Sequence, residues 1–258
     1  MPVKGLSDQI RLPRLGKIRL GVKVSGAMSS YPKQVDYFVC PEAVRNVYGE
    51  RPGELRILFP NEDEGKWASQ FYRCYSRQRG LVCKGDGERA SALVDENTDC
   101  LATANSISAC LKEIDCDLPT CPYYGKQCRR VMNLQFLLPD VPGLGVWQID
   151  TSSYWSITNV NSAVRLVRQL CGRVGMIPLT LKLQPHEVQP EGEKKTVYVL
   201  NLDTQCTLVD MLAYARSPVP ESGMAESGVV LPAPDVEPPD DLFPPEVLDG
   251  SQSGGEGL

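Results

Sequence analysis

At 258 residues, with 42% hydrophobic and 23% charged residues, the chain has the composition of a soluble globular protein with room for one large domain or two small ones. No apolar run approaches the roughly 20 residues of a membrane helix, and MPVKGLSDQIRLPRLGK lacks the apolar core of a secretory signal, so the expected compartment is the cytoplasm. The net charge of −5 is uneven: residues 217–258 hold nine acids and no Lys or Arg, leaving 27 basic residues against 23 acidic ones before them, a surplus that permits nucleic-acid binding without requiring it.

The first 25 residues set Lys4, Arg11, Arg14, Lys17, Arg19 and Lys23 against a lone acid, Asp8. Ile18, Leu20, Val22 and Val24 alternate as in a strand. Its basic face reads either as the solvated side of an edge strand or as a contact to DNA phosphate or an acidic partner. VDYFVC (35–40) is the next strand, and Pro41 opens a short helix that Gly49 stops. LRILFP (55–60) is a strand. FYRCYS (71–76) and LVCKGDGE form a hairpin across SRQRG that carries Cys74 and Cys83. GERASALVD reads as a short helix, and residues 97–115 as a variable insertion.

VMNLQFLLP (131–139) is apolar enough for a buried strand, PDVPGLG is a turn, and VWQIDTSS (146–153) is another strand. Asn161 is placed to cap a helix whose buried stripe is Ala163, Val167, Leu170 and Cys171, with Gly172 as its stop. MIPLTLKLQPHEVQ and KKTVYVLNLD pair as a long hairpin through PEGE, and TLVDMLAYAR (207–216) is a last helix. The sum is an α+β fold: antiparallel hairpins, a few short helices and a cysteine-rich loop in a single domain over 1–216. Residues 217–258 carry eight prolines and six glycines, too little apolar surface to offset chain entropy, and read as a disordered tail. It is either inert or an acidic arm that screens a basic surface or docks on a partner through Leu242, Phe243 and Val247.

Ten cysteines and one histidine in a reducing compartment point to metal ligands and buried thiols rather than disulfides. Cys116, Cys121 and Cys128 lie in thirteen residues that Asp117, Pro119, Pro122 and Gly125 keep irregular. A bound Zn²⁺ would give such a loop its shape. Cys83, before the KGDGE turn, is the first candidate for a fourth ligand and Cys74, across the hairpin, the reserve. Cys100 and Cys110 rank lower, and Cys40, Cys171 and Cys206 sit in apolar patterns. Four thiolates with no open position make a structural site.

No catalytic constellation stands out. KGDGE is too short for a phosphate loop and lacks its Lys-Ser/Thr. His186 is flanked by prolines in QPHEVQP, and Glu62, Asp63, Glu64, Asp86, Glu88 and Asp150 have no metal-binding spacing and read as surface charges. Tyr72, Tyr75, Tyr123, Tyr124 and Trp147 are candidates to stack on bases or to pack in the core.

LSDQIRLPRLGKIRLG, YPKQVDYFVCPE, FYRCYSRQRGLVCKGDGE, NLQFLLPDVPGLGVWQIDTSS and VQPEGEKKTVYVL together resemble the recombination directionality factor-like proteins of phages and integrative elements, also described as hydrolase or metal-binding proteins. The resemblance spans most of residues 5–203. It implies a non-catalytic partner of a large serine integrase, one that turns the enzyme from joining attP and attB toward attL and attR, so that the element excises. It further implies a zinc site of Cys83, Cys116, Cys121 and Cys128, and contact with DNA mainly through the integrase. The alternative is a zinc-containing DNA- or single-strand-binding protein of a mobile element. A metal-dependent hydrolase would need an open metal position, which four thiolates do not leave.

Overall fold

Alternation of apolar and polar residues dominates the chain, and strands accordingly outnumber helices. The structure, a computed structural model, describes residues 10–25, 30–76, 78–189, 194–216 and 229–239. In chain order these form β1 (Arg14–Lys17), β2 (Arg19–Ser25), β3 (Ser30–Val39), α1 (Glu42–Tyr48), β4 (Glu54–Ile57), α2 (Glu64–Trp67), β5 (Ala68–Ser76), β6 (Gly80–Gly85), β7 (Arg89–Asp95) and β8 (Ala109–Asp115). After these come β9 (Cys128–Phe136), β10 (Val146–Thr151), α3 (Tyr154–Cys171), β11 (Leu179–Val188), β12 (Lys195–Asp203) and α4 (Leu208–Arg216). The fold is α+β.

A seven-stranded sheet runs in the order β1-β10-β9-β5-β6-β7-β8, with β1 parallel to β10 and every other pair antiparallel. A three-stranded sheet, β12-β11-β4, and the β2-β3 ribbon complete the strands. Its β11-β12 arm is the expected long hairpin, with Thr180 opposite Asp203 and Val188 opposite Lys195. The connecting PEGE lies outside the described residues.

Register divides the large sheet into two unlike faces. Met132, Leu134 and Phe136 of β9 and Trp147 and Ile149 of β10 face the main core. They meet Leu55, Ile57, Leu179, Leu181 and Leu200 of the smaller sheet there, with Val160, Val164 and Val167 of α3. Phe59 and Trp67 stack at 3.8 Å in the same core, and the indole N–H donates to the Asn61 carbonyl. Because side chains alternate along a strand, Asn133, Gln135, Gln148 and Asp150 point to the other face. The close approach of β1 requires Gly145, where a Cβ would lie 2.4 Å from the Pro13 carbonyl oxygen.

Two sequence expectations give way. GERASALVD is not a helix: Ala90, Ala92 and Val94 are buried in alternation, and β7 pairs on both edges with β6 and β8. Strand partners on both sides outweigh the helix propensity of Ala and Leu. Part of the stretch read as a variable insertion, Ala109–Asp115, is β8, which extends the sheet. The last long helix begins at Tyr154, with Ser153 as its N-cap accepting from the Ser156 amide; Asn161 lies inside the helix and hydrogen-bonds Gln70. Its expected C-terminus at Gly172 holds, in a left-handed cap at φ 71°.

Candidate functional site

Strand register assembles the cysteines. Cys74 of β5 stands opposite Cys83 of β6 on one side and Cys128 of β9 on the other, so three thiols form one row across three strands. The 116–127 loop brings Cys116 and Cys121 to the same place. Burial foremost, then the neighbouring Cys116 and Cys121, pushes the Cys83 thiol up to about 11. Burial and then Cys121, Cys83 and Cys116 push Cys128 up to about 12. Cys74, fully buried beneath them, is raised by burial and by Cys128, Cys83 and Cys121. Cys83, Cys116, Cys121 and Cys128 thus share one neighbourhood with Cys74.

The site's chemistry fits a soft divalent cation. Each thiolate that forms raises the cost of the next, and a cation at their centre reverses that. Gly85 leaves room for the loop, since a Cβ there would sit 2.5 Å from the Cys116 Sγ. Among the described residues no three or more His, Cys, Asp or Glu side chains are drawn into a ligand shell. The thiols share a neighbourhood without metal-ligand geometry. Cys40 and Cys171 are core residues, Cys206 packs against the core, and Cys100 is exposed.

The opposite face of the sheet holds a buried polar row. Lys17 of β1 approaches Asp150 at 2.7 Å, with side chains 11% and 1% exposed, as an ion pair out of hydrogen-bond alignment. Asp150 Oδ1 accepts from Asn133 Nδ2 at 2.5 Å and from Gln148 Nε2 at 2.7 Å. Arg73, 2% exposed, donates to Asn133. Asp150 is therefore not the surface charge its sequence context suggested. Residues 229–239, part of the tail whose composition argued against structure, lie along this face. Val230 exchanges main-chain hydrogen bonds with Ile10 and Leu12. Asp235 lies 3.8 Å from Lys17. Lys4, Leu242, Phe243 and Val247 lie outside the described residues.

A third feature follows the edge of the core face. Tyr124 meets Tyr72 edge-on at 5.7 Å, and Tyr72 stands opposite Arg130 in the β5-β9 register. Arg130 lies 5.0 Å from the Tyr154 ring, Tyr154 meets Trp155 at 5.2 Å, and Trp155 meets His186 at 4.8 Å. Tyr154 is 51% and Trp155 44% exposed. Sequence reading missed both, because it took the helix to begin eight residues later. Of the aromatics it named, Tyr75 and Trp147 are buried, and the Tyr123 hydroxyl accepts from the Leu101 amide.

The acids considered for metal chemistry have local tasks. Glu62 accepts from the Val174 and Gly175 amides, Glu64 pairs with Arg168, and Asp63 pairs with Lys66. Asp86 accepts from the Glu88 and Arg89 amides, which hold its carboxyl below its ordinary value. Among the described residues no helix is long and apolar enough to cross a membrane.

Comparison with known proteins found no match among curated proteins and none among solved structures. The Gp3-like family, described as recombination directionality factor-like, matches residues 15–205, from β1 to just beyond β12, and leaves out residues 229–239. The chain belongs to this recombination directionality factor-like family.

Proposed function

We propose that the chain is a recombination directionality factor: it binds a large serine integrase and shifts it from attP × attB integration to attL × attR excision. The observation that carries this reading is the family match over residues 15–205. On this reading the chain is not an enzyme and works in the cytoplasm. A regulator of this kind acts as a ligand of a bistable synaptic complex. It moves the equilibrium only by its differential affinity for the two arrangements, and about 5.5 kcal/mol takes 1:99 to 99:1.

The exposed ring row supports a protein-docking role, because Trp, Tyr and Arg dominate the energetics of protein interfaces. Cys83, Cys116, Cys121 and Cys128 would hold a structural Zn²⁺ that pins the 116–128 loop beside Tyr124 at one end of that row. Bound zinc would supply four thiolate bonds and no reactive position. The same ring row also favours a second reading, stacking of single-stranded bases beside Arg130.

Recombination of attL and attR substrates by the cognate integrase, with and without this protein, tests the proposal. Excision is expected only in its presence, and Trp155→Ala should reduce it while the fold is retained. No effect from a folded sample would reject the regulator reading. Salt-dependent binding of single-stranded DNA, lost in the same variant, would support the second.

A further inference from the structure

The polar face of the large sheet is covered by the chain's own acidic segment, and the contacts there have the chemistry of peptide recognition. Gln135 Nε2 donates to the Pro232 carbonyl at 3.0 Å, and Gln148 Oε1 accepts from the Asp235 amide at 3.3 Å. Both glutamines are fully buried. One donates and the other accepts, which suits the alternating C=O and N–H of an extended peptide, whereas a phosphodiester only accepts. At one end Val229 packs with Leu12 and Val146, and Val230 pairs with the chain at Ile10 and Leu12. At the other, Asp235 and Glu237 face Lys17 at 3.8 and 4.0 Å, and Glu237 faces Arg19 at 3.8 Å. The seat reads an apolar residue, a proline-containing extended stretch and two carboxylates, in that order.

The carboxylate end of the occupant is held weakly, and the seat is incompletely filled. Its ion contacts are long, and Glu237 is 63% exposed, where screening leaves an ion pair little strength. Between residues 229–234 and the β5-β6 part of this face a cleft of about 480 Å³ remains, lined also by Lys66, Ser69, Phe71 and Lys84. The buried Ser69 hydroxyl has no hydrogen-bond partner among the described residues. Lys84, above the Phe71 ring at 3.9 Å, adds a cation to this empty part.

We propose that this face is a peptide-docking groove, that residues 229–239 are its intramolecular occupant, and that a partner protein displaces them with an extended, proline-containing segment whose apolar residue precedes its carboxylates. The proposal does not depend on the partner being an integrase. An occupant in the same chain competes at an effective concentration on the order of millimolar, so the groove is masked until the partner is abundant or tethered nearby.

The test uses fluorescein-labelled VVLPAPDVEPP, the sequence of residues 229–239. It is titrated into the full chain and into a full-length Asp235→Asn/Glu237→Gln variant, whose own segment keeps its shape and loses its carboxylates. Fluorescence anisotropy should report binding about tenfold tighter to the variant, and adding Arg19→Glu should reverse most of the gain. Equal binding to both chains would place the peptide outside the groove, and no binding to a variant with native circular dichroism would make the segment a fixed part of the fold; either overturns the proposal. Binding of labelled oligothymidine in place of the peptide would overturn it in favour of phosphate recognition.

Discussion

Asp140, in the turn after β9, shows how much one exposed carboxylate can organise. Arg56 of β4 donates to its Oδ1, and the Tyr48 hydroxyl of α1 donates to its Oδ2 at 3.0 Å. The Arg56 bond foremost holds the Asp140 carboxyl below its ordinary value, against a little burial and with help from Tyr48. In turn, burial and then Asp140 push the Tyr48 hydroxyl up to about 12. A carboxyl whose folded pKa is depressed contributes stability above its unfolded pKa, and that contribution is lost as pH falls through the folded value. Asp140→Asn is therefore expected to lower the urea midpoint at neutral pH by a small amount, since the pair is exposed. The gap should close below the folded pKa of Asp140. Urea titrations of both chains at neutral and strongly acidic pH check this, and a gap that ignores pH would assign the effect to packing.

At the scale of elements, the start of α3 is the sharpest case of what the sequence did and did not disclose. The buried residues Ser156, Ile157 and Val160 extend the apolar stripe a full two turns before Asn161. They follow a strand without a Gly or Pro break, and TSS reads equally as the end of that strand or as a cap. Ser153→Ala is expected to destabilise the protein by about 1 kcal/mol through the lost N-cap. Asn161→Ala should act only through its hydrogen bonds with Gln70. Thermal unfolding of the two variants separates the cases, and a larger loss at Asn161 would return the helix start to where sequence alone put it. Strands with strong alternation, such as β10 and the β11-β12 hairpin, were legible because period-2 patterning survives any partner. β7 was not, because Ala and Leu favour a helix until neighbours on both edges supply the missing hydrogen bonds.

Across the whole molecule, the two faces of one sheet separate the candidate functions. The core face carries the cysteine row and the ring row, and the polar face carries the groove under residues 229–239. The cysteine loop was legible from spacing, whereas the central place of Cys74 depends on the β6-β5-β9 register, which no local pattern encodes. The same register bears on which four thiols would take a metal. Cys74 stands between Cys83 and Cys128 in that row and is fully buried, and only the family resemblance favours Cys83, Cys116, Cys121 and Cys128 over it. The purified chain is accordingly expected to hold about one equivalent of zinc, lost in Cys121→Ser and retained in Cys74→Ala. Binding at about a thousandfold over Kd contributes about 4 kcal/mol to stability, so a chelator should lower the Tm of the wild type markedly and leave Cys121→Ser nearly unchanged. Metal analysis beside calorimetry reads both quantities. Zinc lost in Cys74→Ala and kept in Cys83→Ser would exchange the fourth ligand, and a metal-free wild type with the same Tm would remove zinc from the account of this fold.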